Sequence, residues 1–283
     1  MARVVTDSLP ASSRAGSPAD TPAGARAKLA VIGDVHAHWG RLDSVLQQIA
    51  QEGADAILLV GDIGSHDLSY ARRRTPERDA RYLASVEEVL RRCQDLGVPV
   101  RYVPGNHDLP ELSFAGNLDG RLEEIAGVRV FGIGGAGPGR FGFCYEWDEA
   151  QIAARTVPEC ELLLCHAPPA RTRLDLVHDG VRHVGSEAIR EHAQARAQVL
   201  VCGHIHEACG GEQIGGCLCL NAGGLGIPFG ASQVGFVLRE PKLAGGWAVE
   251  HLNLKSGERR RWERTPIDGK STSGTSPVGL ECT

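Results

Sequence analysis

Aspartates, histidines and one asparagine of a kind that hold divalent cations gather in five short segments. They are GDVH (residues 33–36), GD (61–62), GNHD (105–108), CHAPP (165–169) and GHIH (203–206). Asp34 and His36 lie two apart on a segment expected to be extended, so both side chains can face one ion. Asp62 follows a short apolar run and Gly61, a setting for a carboxylate shared between two metals. Asn106 offers a neutral amide oxygen suited to a hard cation. His107 is then free to act as a general acid, with Asp108 able to orient its ring. His166 ends another apolar run, and His204 and His206 repeat the i, i+2 spacing. Mixed imidazole, carboxylate and amide donors suit Mn, Fe, Zn, Co or Ni. Two such ions about 3.5–4 Å apart can activate a water and stabilise an in-line displacement at phosphorus. Taken singly, a GD or GNH is more often a turn between strand and helix. Five of the eleven histidines, in order with three acids and an amide, point to one centre.

The elements that must position these residues alternate. Apolar runs at 29–32, 56–60, 100–103, 128–133, 161–165 and 199–202 read as buried strands. Helical spacing of apolar residues marks 42–52, 83–96 and 186–195. Runs at 217–220, 234–238 and 247–252 lack intervening helices and suggest an antiparallel return. Strand–helix alternation followed by a meander implies an α/β core with mixed sheets. In open α/β sheets the ligand crevice lies beyond the carboxyl ends of strands. All five segments occupy such positions. Residues 1–27 and 253–283, rich in Ser, Gly, Pro or Thr, read as a disordered segment and a mobile tail around one domain at 28–252.

Composition bounds the partners. The chain has 283 residues, 42% of them hydrophobic, with a net charge of −5 and a mean hydropathy of −0.16. No stretch approaches the length of an ordinary membrane span. The acidic balance offers no global attraction for nucleic acid, so a phosphorylated substrate must be captured locally. Nine cysteines without a paired C-x-x-C arrangement read as reduced, buried thiols, and hence as a cytoplasmic protein.

Together the segments resemble the pattern D-x-H, G-D, G-N-H-[DE], H and G-H-x-H of the calcineurin-like metallophosphoesterase superfamily, over residues 28–252. The resemblance implies an α/β fold, a four-layer αββα sandwich of two mixed β-sheets flanked by helices. It places Asp34, His36, Asp62 and His206 on one metal and Asp62, Asn106, His166 and His204 on a second. It further implies direct attack on phosphorus by a metal-bridging hydroxide, with His107 protonating the leaving oxygen and Asp108 in support. HAPPARTRLD (166–175), GSEAIRE (185–191) and VLVCGHIHEACG (199–210) are similar to small bacterial phosphoesterases, including the class III cyclic-nucleotide-phosphodiesterase-like branch. GDIGSHD (61–67) and GNHD depart from the large Ser/Thr protein phosphatases, and NAGG (221–224) replaces a common N-P-G-[ST]. The expected activity is hydrolysis of phosphomonoesters or phosphodiesters of small, nucleotide-like molecules. The alternatives are a nuclease of the same superfamily and a catalytically silent metal-binding interaction scaffold.

Several further residues lie near these segments. His38 and His66 neighbour metal motifs and could touch substrate, or simply be exposed. Arg72, Arg73 and Arg74 could gather phosphates, though charge runs in loops are usually solvated. Phe141, Phe143, Tyr145 and Trp147 either cap the cleft or pack a hairpin. Gly223, Gly224 and Gly226 read as turns.

Overall fold

The computed structural model describes residues 25–66, 71–139 and 141–266. Strand β1 (Ala27–Ile32) enters helix α1 (Trp39–Glu52), which returns to β2 (Ala56–Leu59). Helix α2 (Pro76–Gln94) leads to β3 (Val100–Tyr102). The chain then forms β4 (Leu122–Ile125), β5 (Val128–Ile133), α3 (Glu149–Ala153), β6 (Leu162–Cys165), α4 (Glu187–Arg196) and β7 (Val199–Cys202). It ends in β8 (Gly210–Ile214), β9 (Cys217–Asn221), β10 (Gln233–Arg239), β11 (Trp247–Asn253) and β12 (Arg259–Glu263). One six-stranded sheet has the order β12-β11-β10-β1-β2-β3, the other β4-β5-β6-β7-β9-β8. Both are mixed. β1, β2 and β3 pair in parallel, as do β5, β6, β7 and β9, while β10–β12, β4 and β8 pair antiparallel.

Alternation within strands explains the layering. In β1, Ala30 and Ile32 pack with Leu42, Val45 and Ile49 of α1 and Val86 and Val89 of α2. Their neighbours Leu29 and Val31 face the other way, into a second core shared with Val130, Leu164, Val201 and Leu220 of the opposite sheet. Leu163, Cys165, Leu200 and Cys202 then form a third core with Ile189 and Ala193 of α4. Three cores between four layers make the αββα sandwich. Because strands such as β2 and β6 are covered on both faces, they read as unbroken apolar runs. All eight described cysteines are free, six of them buried.

The structure corrects several boundaries. The tail expected from 253 contains β12, which pairs with β11 from Ala248↔Glu263 to Leu252↔Arg259. Arg259 and Arg261 grip Glu250 at 2.6 and 2.9 Å, while the Trp262 ring covers Gly211 of β8. The domain therefore extends past 252. Residues 1–24 and 267–283 of the expected terminal segments lie outside the described residues. Helix α2 starts seven residues before its expected position, at Pro76 rather than 83. Its first turn is polar and carries no apolar period, but Thr75 Oγ1 accepts from the Arg78 N–H at 3.3 Å and Pro76 takes the first helical position.

Candidate metal centre

The parallel strands end on one side of the sandwich, and the motif loops leave from there. Asp34 follows β1, Asp62 follows β2, Asn106 and His107 follow β3, His166 follows β6, and His204 and His206 follow β7. The spacing argument reaches the right neighbours by a different route. Asp34, His36, Asp62 and His204 are not extended: their φ values are 42°, 45°, 51° and 67°. A left-handed backbone at a residue with a side chain costs about 1–3 kcal/mol and persists only where the surroundings over-determine it. Here they do. The His36 N–H donates to the Asp62 carbonyl at 2.8 Å, and the His204 N–H donates to Asp34 Oδ2 at 3.0 Å. Two motif glycines allow the loops to close on the carboxylates. A Cβ on Gly105 would sit 2.1 Å from Asp62 Oδ1, and one on Gly203 2.3 Å from Asp34 Oδ2.

Two overlapping groups of candidate ligand atoms result: Asp34, His36 and His206, and Asp34, Asp62 and His166. The Asp62 carboxylate divides between neighbours. Its Oδ2 lies 3.5 Å from His36 Nε2, and its Oδ1 lies 3.7 Å from His166 Nε2. Asn106 Oδ1 lies 2.8 Å from His166 Nε2, and the His204 ring lies 5.0 Å from the His166 ring. All seven expected ligands thus fall in one neighbourhood, with Asn106 and His204 beside His166.

The hydrogen-bond pattern fits a cation. His206 Nδ1 commits its hydrogen to the Pro228 carbonyl at 2.7 Å, which turns the Nε2 lone pair toward Asp34 Oδ1 at 3.2 Å. Two acceptors face each other there unless a proton or a metal stands between them. His166 repeats the arrangement, with Nδ1 on the Val60 carbonyl at 2.7 Å and Nε2 toward Asn106 Oδ1. Electrostatics agree. Burial resists ionisation of Asp62, yet His166, His107 and His36 hold its carboxyl below the ordinary range. Burial likewise opposes a charge on Asp34, but His206 outweighs it and the pKa is lowered. Desolvation pulls His36 and His204 down to about 3, so both rings are neutral and can ligate. His206 goes the other way, to about 9, because Asp34 more than offsets its burial.

His107 donates its backbone N–H to Asp62 Oδ1 at 2.9 Å, while its ring, 22% exposed, stands at the rim against Phe143. Asp108 does not orient that ring. Its carboxylate accepts the N–H groups of Gly105 at 2.7 Å and Ile63 at 3.0 Å, and the hydroxyl of Tyr82 from α2. Asp108 therefore ties the β2 and β3 loops together. Sequence reasoning missed this because its partners are mostly backbone groups.

Asn221 was also missed as a site residue. Its Nδ2 donates to the carbonyls of Gly203 at 3.3 Å and Ile205 at 3.0 Å, and its Oδ1 accepts from the Gly223 N–H, which fixes the GHIH loop. The available signals were its place at the end of an apolar strand and at the head of the NAGG segment (221–224). Among the residues left open, His66 stacks on His36 at 4.0 Å. Arg74 is held by Asp79 and Glu111, away from a phosphate role. The aromatic segment divides: Phe143 reaches the site, whereas Trp147 is buried and Tyr145 donates to Asp119.

Carboxylate, imidazole and amide donors converging at the strand ends of a layered α/β sandwich define a metal-dependent hydrolase. The chain belongs to the calcineurin-like phosphoesterase superfamily, whose domain model matches residues 28–242. It is 28% identical over 210 residues to an uncharacterized protein of Methanocaldococcus jannaschii, covering 69% of this chain and 87% of that one. It is 26% identical over 222 residues to a probable cyclic nucleotide phosphodiesterase of Synechococcus, covering 73% and 75%. The fold also matches a dimetal phosphatase from Danio rerio at a TM-score of 0.55 and 13% identity, over 84% of this chain and 99% of the other.

Proposed function

We propose that this phosphoesterase hydrolyses phosphate esters of small, nucleotide-like molecules at a centre of two divalent cations. Asp34, His36 and His206 would hold one, Asn106, His166 and His204 the other, and Asp62 would serve both. The observation that carries this reading is the divided Asp62 carboxylate, with one oxygen toward His36 and the other toward His166. When bound, such a pair supplies Lewis acidity to phosphoryl oxygens and acidifies a water so that it can attack at neutral pH. The chain's own residues supply the rest. Asp34 and Asp62 are kept ionised in a buried site, and His36 and His204 are kept neutral. His107, tethered to Asp62 through its backbone and partly exposed, would deliver a proton to the departing oxygen.

The name of the Synechococcus relative makes cyclic nucleotides the first esters to assay. The net charge of −5 favours small esters over nucleic acid. The test is hydrolysis of a nitrophenyl phosphate, its bis-ester and cyclic nucleotides by Mn²⁺-loaded protein, with and without chelator. Turnover that chelation abolishes is expected. Metal-loaded protein inert toward every ester would contradict the reading.

A further inference from the structure

A cavity of about 450 Å³ opens beside His204, lined by Pro138, Phe141, Glu149, His183, Val184 and Ser186 among others. It adjoins the site and shares His204 with the candidate ligand set. Phe141, 57% exposed, lies 6.0 Å from Phe143, which in turn lies 4.4 Å from the His107 ring. Pro138, Phe141 and Val184 give it apolar walls of the kind that hold a flat ring.

Its polar edges are built from the inside. Asp175 is fully buried and anchored by the N–H groups of Thr172 and Gly185, both at 2.9 Å. It also receives His183 Nδ1 at 2.7 Å. With Nδ1 donating to Asp175, Nε2 is the ring nitrogen left to face a ligand, as an acceptor in that neutral tautomer. Glu149 Oε2 is taken by the Ser186 hydroxyl at 3.1 Å and the Ala188 N–H at 2.9 Å, so Oε1 is its remaining acceptor. Two acceptors, one a carboxylate, suit a ligand that donates N–H hydrogens and disfavour a second phosphate.

We infer that this cavity is the subsite for the organic part of the substrate, an uncharged heteroaromatic ring bearing an amino group. His183 accepts from that group, and Asp175 is the positioning residue that fixes the imidazole. This rests on the phosphoesterase reading above, and it can fail separately. The first experiment is calorimetric titration of the chelator-treated full chain with adenosine, and with purine riboside, which lacks the amine. Adenosine should bind, and purine riboside should bind roughly fivefold more weakly or worse. Phe141→Ala and His183→Leu should each weaken adenosine by about fivefold, with the melting temperature unchanged.

In Mn²⁺-loaded protein, the ratio of kcat/KM for the p-nitrophenyl ester of adenosine 5′-phosphate over methyl p-nitrophenyl phosphate should fall by about the same factor, through KM. Absence of adenosine binding in a protein that hydrolyses the methyl ester overturns the subsite and leaves the phosphoesterase reading intact. Equal loss on both esters in both variants also overturns it. Adenosine binding without hydrolysis of any ester keeps the cavity as a binding site for the ring but overturns the phosphoesterase reading and, with it, the cavity's role in holding a substrate.

Discussion

Asp108 shows how much of the site depends on a side chain that need not touch substrate. One carboxylate gathers N–H groups from the loops after β2 and β3 and a hydroxyl from α2, and those loops carry Asp62, Asn106 and His107. An amide in its place offers one acceptor oxygen and adds unwanted donors. Asp108→Asn should therefore lower stability by about 2–3 kcal/mol, as for other buried bonds to charged groups, and reduce metal retention. Equilibrium denaturation alongside metal analysis of the dialysed variant checks both, and unchanged values in each would refute the tie. The candidate ligand residues themselves were legible because carboxylates and imidazoles at fixed spacing advertise their chemistry. The left-handed turns that present Asp34 and His36 were not, since an i, i+2 pair looks the same in one dimension whether the backbone is extended or coiled. The Asp175–His183 pair was equally invisible, being the last residue of a short 3-10 turn and a loop residue eight further on, with no periodicity between them.

At the scale of elements, both sheets were readable where burial on two faces produces apolar runs, as in β1, β2, β6 and β7. Legibility failed at the edges. β4 is only partly buried and β12 reads as a basic tail, because charged side chains there serve neighbours rather than solvent. In β12 the alternation is between Arg259 and Arg261, which hold Glu250, and Arg260 and Trp262, which cover Cys209 and Gly211. The strand thus straps the edge of one sheet to β8 of the other. Trp262→Ala should destabilise the fold by about 1–3 kcal/mol, the range for loss of a partly buried large side chain. A chain ending at residue 257 should lose more. Denaturant titration measures this, and a truncated chain as stable as the whole would show that β12 contributes nothing.

For the molecule as a whole, acid sensitivity tests the buried polar interior. His251 is neutral in the fold, with its pKa lowered to about 4 by burial and by Arg260, while Nε2 lies 3.1 Å from Gln233 Oε1. Between about pH 6.5, the unperturbed histidine value, and the folded value of about 4, the unfolded chain binds a proton that the native chain refuses. Stability is thus complete above that window and falls as the pH drops through it. His251→Gln should flatten this part of the profile in pH-dependent denaturation. An identical slope in the variant would remove His251 from the account. The central claim is tested most directly by counting bound metals and turnover together in the wild-type chain and in Asp62→Asn. Two divalent ions per wild-type chain with chelator-sensitive ester hydrolysis, and one or none with near-total loss of turnover in the variant, is the predicted result. Two retained ions and full activity in Asp62→Asn would contradict it.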